Sequence, residues 1–293
     1  MLGEALALSS ALLFGLSTVL IKTVVPRVDS ITVTAVRLIT GAVFAVLVSA
    51  LLGQFNEFSN ISKDSLLILL VAGGVVMTGH ITLIKAIGID DVSRIFPTMT
   101  GLYILMSVVF SVLLTDDVFS FKIILGAVIV LLGIYLLSYE TNSYPRNSGE
   151  ISVGSKFIAL GLAAFTALSW TFGILTMDLV VNTVDPLLAT SVRMSFMSLL
   201  MVIIAGSKLR YIFKIVTRED TLALLAGGIL TGISTMTFIS ALKWSTPSIV
   251  VILNCTAPFF VVPIAFIWLK EKITKATIIG TVACFLGVVL TLS

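Results

Sequence analysis

The chain has 293 residues, of which 58% are hydrophobic and only 11% charged, with a formal net charge of +3 and a mean hydropathy of +1.17. So little polar surface cannot cover a water-soluble globule of this size, which excludes the soluble classes. Cys255 and Cys284 lie inside apolar stretches without Cys-x-x-Cys spacing. We therefore expect no metal, no redox centre, no cofactor and no nucleic-acid partner.

Apolar runs of about 20 residues recur along the chain, the length that a helix needs to cross a hydrocarbon core of about 30 Å. The runs are continuous and do not alternate every second residue, which favours helices over a β-barrel. The first run lacks a basic region before it, so we expect it to be retained as a helix and not cleaved as a signal peptide. The prediction is an all-α membrane protein with ten transmembrane helices, at approximately 5–24, 31–52, 65–86, 94–114, 121–139, 157–179, 187–206, 221–242, 248–268 and 276–292.

The two parts of the chain repeat each other. Residues that match at a shift of 156 or 154 positions are Asp29 and Asp185, Arg37 and Arg193, Asp64 and Asp220, Gly126 and Gly280, and Gly133 and Gly287. Each part holds five predicted spans, an odd number, so the second part enters the membrane in the opposite orientation. We predict two inverted repeats, 1–139 and 157–293, joined by a polar linker at 140–156.

The second repeat carries several features in a fixed order. They are Ala241-Leu242 at a helix end, Thr246-Pro247-Ser248, Pro258 at mid-helix, Glu271 after the apolar run, and Gly280 and Gly287. With these features the chain resembles the ten-helix, EamA-like branch of the drug/metabolite transporter superfamily. The resemblance implies two five-helix units around a central cavity, lined by the first, third and fourth helices of each unit. The first repeat departs from the pattern, since Asp116-Asp117 stands where Glu271 would be echoed.

Some residues within the predicted spans have the chemistry of a cavity wall. His80, the one histidine of the chain, lies inside a span, where ionisable side chains tend to face a cavity and where histidine could carry a proton or bind substrate. A neutral histidine bonded to a neighbouring helix is the alternative. Aromatic and hydroxyl groups suit a mostly apolar pocket with a few orienting polar atoms, although packing alone also explains them. The candidate cavity residues are Phe14, Ser17, His80, Arg94, Tyr103, Trp170 and Asn254.

Prolines and arginines inside the spans have two interpretations each. Pro97 and Pro258 free backbone carbonyls that lipid cannot satisfy, so each marks either a gate or hinge beside a cavity or a packing kink. We interpret Arg37 and Arg193 as structural, reaching the headgroups or tying helix ends. The alternative is that they bind an anionic group. In an inverted repeat the two arginines would lie near opposite membrane faces and would not share one site.

These features predict a secondary transporter that moves a small metabolite by alternating access, in the direction of export. The chain has no phosphate-binding P-loop, so it does not carry its own ATPase. An amino acid or a similar neutral or zwitterionic solute leaves the fewest charges unexplained. The alternative is a sugar phosphate, a nucleotide sugar or another anionic metabolite, which Lys85 or Arg94 would bind. We expect a monomer in the plasma membrane, with the substrate and the lipid bilayer as its partners.

An intramembrane serine hydrolase is the alternative from a different functional class. Ser17 or Ser234 with His80 would be the Ser-His pair of an intramembrane hydrolase. Neither serine is followed by the glycine of a nucleophile elbow, so we do not predict an enzyme.

The orientation in the membrane stays open. Most basic residues between the predicted spans fall on the side opposite the termini, and the positive-inside rule then places both termini outside. The resemblance implies the reverse, with both termini in the cytoplasm.

Overall fold

The structure is a computed structural model that describes residues 2–114, 153–245, 247–271 and 273–292, with a few positions between 125 and 136. Most of the fifth predicted span, most of the linker, Asp116-Asp117 and the side chain of Cys284 lie outside the described residues. Every regular element in the described ranges is a helix. The α-helices are α1 (Leu2–Val24), α2 (Ser30–Leu51), α3 (Lys63–Ile89), α4 (Val92–Leu114), α5 (Val153–Asp178), α6 (Pro186–Ala205), α7 (Lys208–Ile215), α8 (Arg218–Trp244), α9 (Pro247–Asn254), α10 (Ala257–Leu269) and α11 (Lys275–Leu292).

Six of these helices are long and apolar enough to cross a membrane, namely α1, α2, α3, α5, α6 and α8. The protein is therefore an integral membrane protein that crosses the bilayer several times. Two short elements were not predicted, a 3-10 helix at Gln54–Asn60 and the amphipathic α7. Both follow an apolar helix and carry too many polar residues to be recognised by hydropathy.

Asp29 and Asp185, which match each other in the repeat, are both helix N-caps. The carboxylate of Asp29 accepts hydrogen bonds from the backbone N–H of Thr32 at 3.2 Å and from its hydroxyl at 2.6 Å. Asp185 accepts from the N–H of Leu187 at 2.9 Å, with Pro186 at the first position of α6. A cap satisfies N–H groups that have no partner within the helix, which explains why α2 and α6 begin where they do.

The ninth predicted span is two helices and not one. A turn at Cys255 and Thr256 separates α9 from α10, and Pro258 lies in the first turn of α10. The predicted kink at Pro258 within a continuous helix is therefore replaced by a break three residues earlier. A proline cannot donate to the carbonyl four residues before it, here that of Asn254, and is well suited to the first turn of a new helix.

Helices of the first half pack mainly on helices of the second. The pairs are α1 on α8, α2 on α6 and α8, α3 on α5 and α6, α4 on α5, α1 on α9 and α10, and α4 on α10 and α11. Small residues allow the backbones of two helices to approach closely. A Cβ added to Gly232 of α8 would lie 2.8 Å from the carbonyl oxygen of Gly41 in α2. Gly126, Gly133, Gly280 and Gly287 are all buried.

Hydroxyl groups add hydrogen bonds across the same interfaces. Ser10 of α1 bonds to Ser234 of α8, with 3.0 Å between the hydroxyl oxygens. Ser49 and Ser191 join α2 to α6 at 2.7 Å. Within a membrane such bonds orient helices that apolar packing alone would leave free to slide or rotate.

Charged groups gather at one end of the bundle. Lys22, near the end of α1, donates to the backbone carbonyls of Ile87 and Asp90 at the end of α3. Arg27 forms an ion pair with Asp220 at the start of α8. We call this the charged end, and its contacts tie α1 to both α3 and α8.

Candidate functional site

Five aromatic side chains from four helices meet in the interior. Trp170 of α5 makes an edge contact with Phe14 of α1, with 5.3 Å between the ring centroids, and a tilted contact with His80 of α3 at 5.6 Å. Phe96 of α4 lies 5.8 Å from Phe14, and Tyr103 of α4 lies 6.3 Å from Trp170. We call these five residues the central aromatic cluster. It brings together four of the seven predicted cavity residues.

The position of the cluster follows from the repeat. Phe14 and Trp170 are separated by 156 positions, the same shift that matches Arg37 with Arg193. Two matched residues that touch each other must lie where the two halves meet. The cluster is thus at the interface of the halves, and not inside either one.

Arg37 is completely buried beside the cluster. Its side chain has 0% of its surface exposed, and its Cζ lies 4.9 Å from the centroid of the Phe14 ring. The Nε–H donates to the hydroxyl of Thr231 in α8 at 2.6 Å. Neither Nη1 nor Nη2 has a hydrogen-bond partner among the described residues. Arg37 therefore does not reach the headgroups, and it holds a charge in the interior, where an unpaired ion is costly.

His80 and Arg193 leave further polar atoms without partners. Both are buried, each with 7% of its surface exposed, and in the described structure neither His80 Nδ1 nor Arg193 Nε has a hydrogen-bond partner. The same holds for Trp170 Nε1.

The two halves differ at His80. The shift of 154 positions that matches Gly73 with Gly227 places His80 opposite Ser234. Ser234 has well-formed partners, because its hydroxyl donates to the carbonyl of Ser10 at 3.0 Å. His80 has an aromatic environment instead, so the two halves differ in chemistry at this position.

Family comparison agrees with the helical architecture. The EamA-like transporter family matches residues 1–139 and 157–293. The chain belongs to this family. It is accordingly a membrane transporter of the drug/metabolite transporter superfamily.

Comparisons with single proteins add only the fold. No curated protein sequence matches this EamA-like chain. Among solved structures 26 chains match, including a crystal structure whose description names no function. That structure shares 18% identity and a TM-score of 0.67, and the match covers 98% of this chain and 94% of the other. At this identity the likeness concerns the fold alone.

Three predicted cavity residues of the EamA-like chain have partners outside the cluster. Ser17 donates to the carbonyl of Gly227 at 2.7 Å and shares a hydrogen bond of 2.8 Å with Thr231. Asn254 donates to the hydroxyl of Ser10 at 3.1 Å. Ser17 thus supports Thr231, which in turn holds Arg37. Neither Ser17 nor Ser234 is hydrogen-bonded to His80 in the described part of the chain, so the Ser-His pair of a hydrolase is not formed there.

Arg94, the third of these residues, lies at the charged end of the bundle. It forms ion pairs with Asp90 at 2.7 Å and with Asp91 at 2.8 Å, and 21% of its side chain is exposed. Its charge is therefore matched by neighbours in its own turn. This distinguishes Arg94 from the interior guanidinium of Arg37.

The two predicted kink prolines face one cleft. A narrow cleft between α4, α10 and α11 is lined by residues that include Pro97, Thr100, Cys255, Pro258, Phe259 and Thr281. The cleft lies beside the central aromatic cluster, to which Tyr103 and Cys255 connect it by packing. We locate the candidate site in the cluster and not in the cleft, because the buried polar atoms without partners gather in the cluster.

Three residues were not predicted to have these roles. Phe96 completes the cluster, Thr231 fixes Arg37, and the carboxylate of Glu271 caps α4 at the charged end. The sequence holds a signal for Thr231, which follows Gly227 by one helical turn in a row of small residues. It holds none for the partner of Glu271, because that partner is the backbone of the other half.

Proposed function

We propose that this EamA-like transporter is a secondary transporter that moves a small metabolite by alternating access to one central site. The observation that carries the proposal is the central aromatic cluster, a buried set of apolar walls and polar atoms without partners at the interface of the two halves. Pockets for small organic molecules combine these two properties. A site between the halves can open to either side as the halves rock against each other.

The packing pattern supports an inverted repeat of two five-helix units, 1–139 and 157–293. The contact of α1 with α8 has its counterpart in the contact of α5 with α3. The contact of α4 with α5 has its counterpart in that of α9 and α10 with α1. Such exchanged pairs are what a duplication related by a two-fold axis produces, and an odd number of five helices per unit then gives the second unit the opposite orientation.

Each end of the bundle offers a gate. The charged end is tied by Lys22, by the ion pair of Arg27 with Asp220, and by Glu271. At the other end Gly3 of α1 packs on Ser245, and Ser65 lies 3.4 Å from Thr183 between their hydroxyl oxygens. Alternating access opens these two sets of contacts in turn, and the break between α9 and α10 supplies a hinge.

The solute that we propose is an amino acid or a similar small metabolite, moved outward across the plasma membrane. The aromatic walls fit an apolar body, and the buried guanidinium nitrogens favour a solute with an acidic group. The second candidate class, a net anionic metabolite, is favoured by the same nitrogens. Both classes share a carboxylate or a comparable anion.

Counterflow in proteoliposomes tests the proposal. Purified protein is first screened by thermal shift against amino acids, organic anions and amines, because a ligand that binds the native state raises its apparent stability. A solute that shifts the unfolding temperature is then loaded into vesicles, and exchange of the labelled solute is measured. We expect exchange in the wild type and its loss in Trp170→Ala.

Trp244→Ala is the matched control, because Trp244 lies at the end of α8 with 62% of its side chain exposed. Exchange at the wild-type rate in Trp170→Ala would contradict a central site. Failure to find any exchanged solute in the panel would contradict the transport function itself.

A further inference from the structure

We infer that Arg37 binds the carboxylate of the solute, and that the substrate is a carboxylic acid with an aromatic or apolar body. The inference rests on the proposed transport function. Of the two candidate solute classes it favours the anionic metabolite over the zwitterionic amino acid, and it assigns one side chain to the carboxylate that defines the class.

The hydrogen-bond geometry of Arg37 leaves the edge formed by Nη1 and Nη2 available to a ligand. Thr231 occupies the Nε–H, while Nη1 and Nη2 are buried and have no partner among the described residues. The pair of nitrogens at this edge forms a planar fork that matches the two oxygens of a carboxylate. Because Thr231 is itself fixed by Ser17 and by the carbonyl of Gly227, the direction of the fork is set before any solute binds.

Charge balance points to the same ligand. Three other cations have acceptors, Arg27 in Asp220, Arg94 in Asp90, and Lys22 in the carbonyls at the end of α3. Arg37 and Arg193 have no ion pair with a described carboxylate. An unpaired buried cation is costly, so the binding of an anionic solute relieves a cost that the protein alone bears.

The neighbours of Arg37 describe the rest of the solute. Phe14, Phe96, Tyr103 and Trp170 offer ring faces and edges to an aromatic or apolar body. The Nε1–H of Trp170 has no acceptor within the described residues, and it is a second donor for an anion. The described cluster holds no Asp or Glu that would receive an ammonium group. We therefore expect a carboxylate to bind more tightly than the zwitterion of the same carbon skeleton.

The three tryptophans make the site observable. Trp244 and Trp268 are both more than half exposed, so a Trp244→Phe, Trp268→Phe variant leaves Trp170 as the one tryptophan of the chain. Its emission then reports binding at the cluster. Four probes with the same ring are titrated, namely 3-phenylpropionate, phenylalanine, 3-phenylpropionamide and 2-phenylethylamine.

With 3-phenylpropionate we expect a saturable change in Trp170 emission. The affinities of the amide and the amine should be at least about tenfold weaker, because each lacks the charge-assisted contact of the carboxylate. Arg37→Gln in the same background should weaken 3-phenylpropionate by about tenfold or more and leave the amide unchanged. Arg37→Lys keeps the charge without the planar fork, so its affinity for 3-phenylpropionate should lie between those of the parent protein and Arg37→Gln. Arg210→Gln, the same substitution on the exposed face of α7, is the control. Should Arg37→Gln fail to fold, Arg37→Lys carries the comparison.

Two results would overturn the inference. One is an amide or amine that binds as tightly as the carboxylate; the other is wild-type affinity for 3-phenylpropionate in folded Arg37→Gln or Arg37→Lys. If another solute is exchanged in a Trp170-dependent manner and no carboxylate binds, this inference fails and the transporter stands. If 3-phenylpropionate binds through Arg37 and no solute is exchanged, the site stands and the transport function fails.

Discussion

The carboxylate of Glu271 accepts a hydrogen bond from the backbone N–H of Ser93 at 3.0 Å and another from that of Val92 at 3.1 Å. Glu271 follows α10 in the second half, while Val92 and Ser93 are the first two residues of α4 in the first half. The first turn of α4 is therefore capped by a side chain from the opposite half, about 180 positions away in the sequence. This cap holds the two halves together at the charged end, since it is lost if α10 moves away from α4.

Removal of the Glu271 carboxylate should destabilise the protein. Glu271→Ala leaves two buried N–H groups without an acceptor, which we expect to cost about 1 to 3 kcal/mol. Glu271→Gln retains one acceptor oxygen and should cost less. The measurement is thermal unfolding of the purified protein in detergent. Glu219→Ala, at an exposed position in the first turn of α8, is the control, and equal stability of Glu271→Ala and Glu219→Ala would contradict the cap.

Close helix packing gives a second prediction. Gly232→Ala would place a Cβ 2.8 Å from the backbone oxygen of Gly41, so α2 and α8 must separate. We expect a loss of about 1 to 3 kcal/mol, the range for overpacked interiors. Gly161→Ala is the matched control, because no atom lies within 4 Å of its added Cβ, and alanine should stabilise the helix by up to about 1 kcal/mol. We expect Gly161→Ala to unfold at a higher temperature than Gly232→Ala. The opposite order of the two unfolding temperatures would contradict the prediction.

Asp29 gives a pH-dependent contribution to stability. Burial raises the pKa of Asp29, but the hydrogen bonds from Thr32 and the charge of Lys208 outweigh this, so its pKa in the folded protein lies below the ordinary value. A lowered folded-state pKa stabilises the native state above the pKa of the unfolded chain, and the contribution is lost as the pH falls through the folded-state pKa. In Asp29→Asn this contribution is absent at every pH.

Unfolding temperatures of the wild type and Asp29→Asn, measured from about pH 7 down to about pH 3, test this sign. We expect the wild type to be the more stable at neutral pH and the difference to shrink in acid. A difference that stays constant or grows toward low pH would contradict the role of the ionised cap.

The divergence of His80 from Ser234 predicts two different phenotypes. His80→Phe fits the aromatic surroundings, so we expect near wild-type stability and a fall in solute exchange of at least about tenfold, the effect of one lost polar contact. Ser234→Ala removes hydrogen bonds between α1 and α8 and should lower stability by about 1 kcal/mol. Its exchange rate per folded molecule should be unchanged. Thermal unfolding and counterflow, measured on the same preparations, separate the two effects. A His80→Phe variant that loses stability but not exchange, or a Ser234→Ala variant that loses exchange but not stability, would contradict these roles.

Much of the fold could be predicted because its signals are local. Runs of apolar residues located the six long apolar helices, and aspartate before such a run, as at Asp29 and Asp185, is a local signal for a helix N-cap. The repeat also led to Phe14 and Trp170 as matched residues. The ion pairs of Arg94 also have a local sequence signal, since Asp90 and Asp91 precede it by four and three positions. Side chains at these spacings are neighbours on a helix.

Other features depend on contacts that no local pattern encodes. Pro258 gives the same sequence signal for a kink and for a complete break, and the choice depends on how α9 and α10 pack on α1. Arg37 occupies a span in which snorkelling and burial are equally compatible with the sequence. Only the position of Thr231, 194 residues away, fixes its side chain in the interior.

The unequal ends of the bundle have a consequence for how the protein responds to its solvent. Arg27 and Lys208 at the charged end are more than half exposed, within reach of dissolved ions, whose screening at physiological ionic strength acts over about 8 Å. The contacts at Gly3, Ser65 and Thr183 involve no net charge and are insensitive to screening. Ionic strength therefore acts unequally on these contacts: added salt weakens the ion pairs of Arg27 and Lys208, so the half-reaction that opens the charged end should depend on the salt that bathes that side of the membrane.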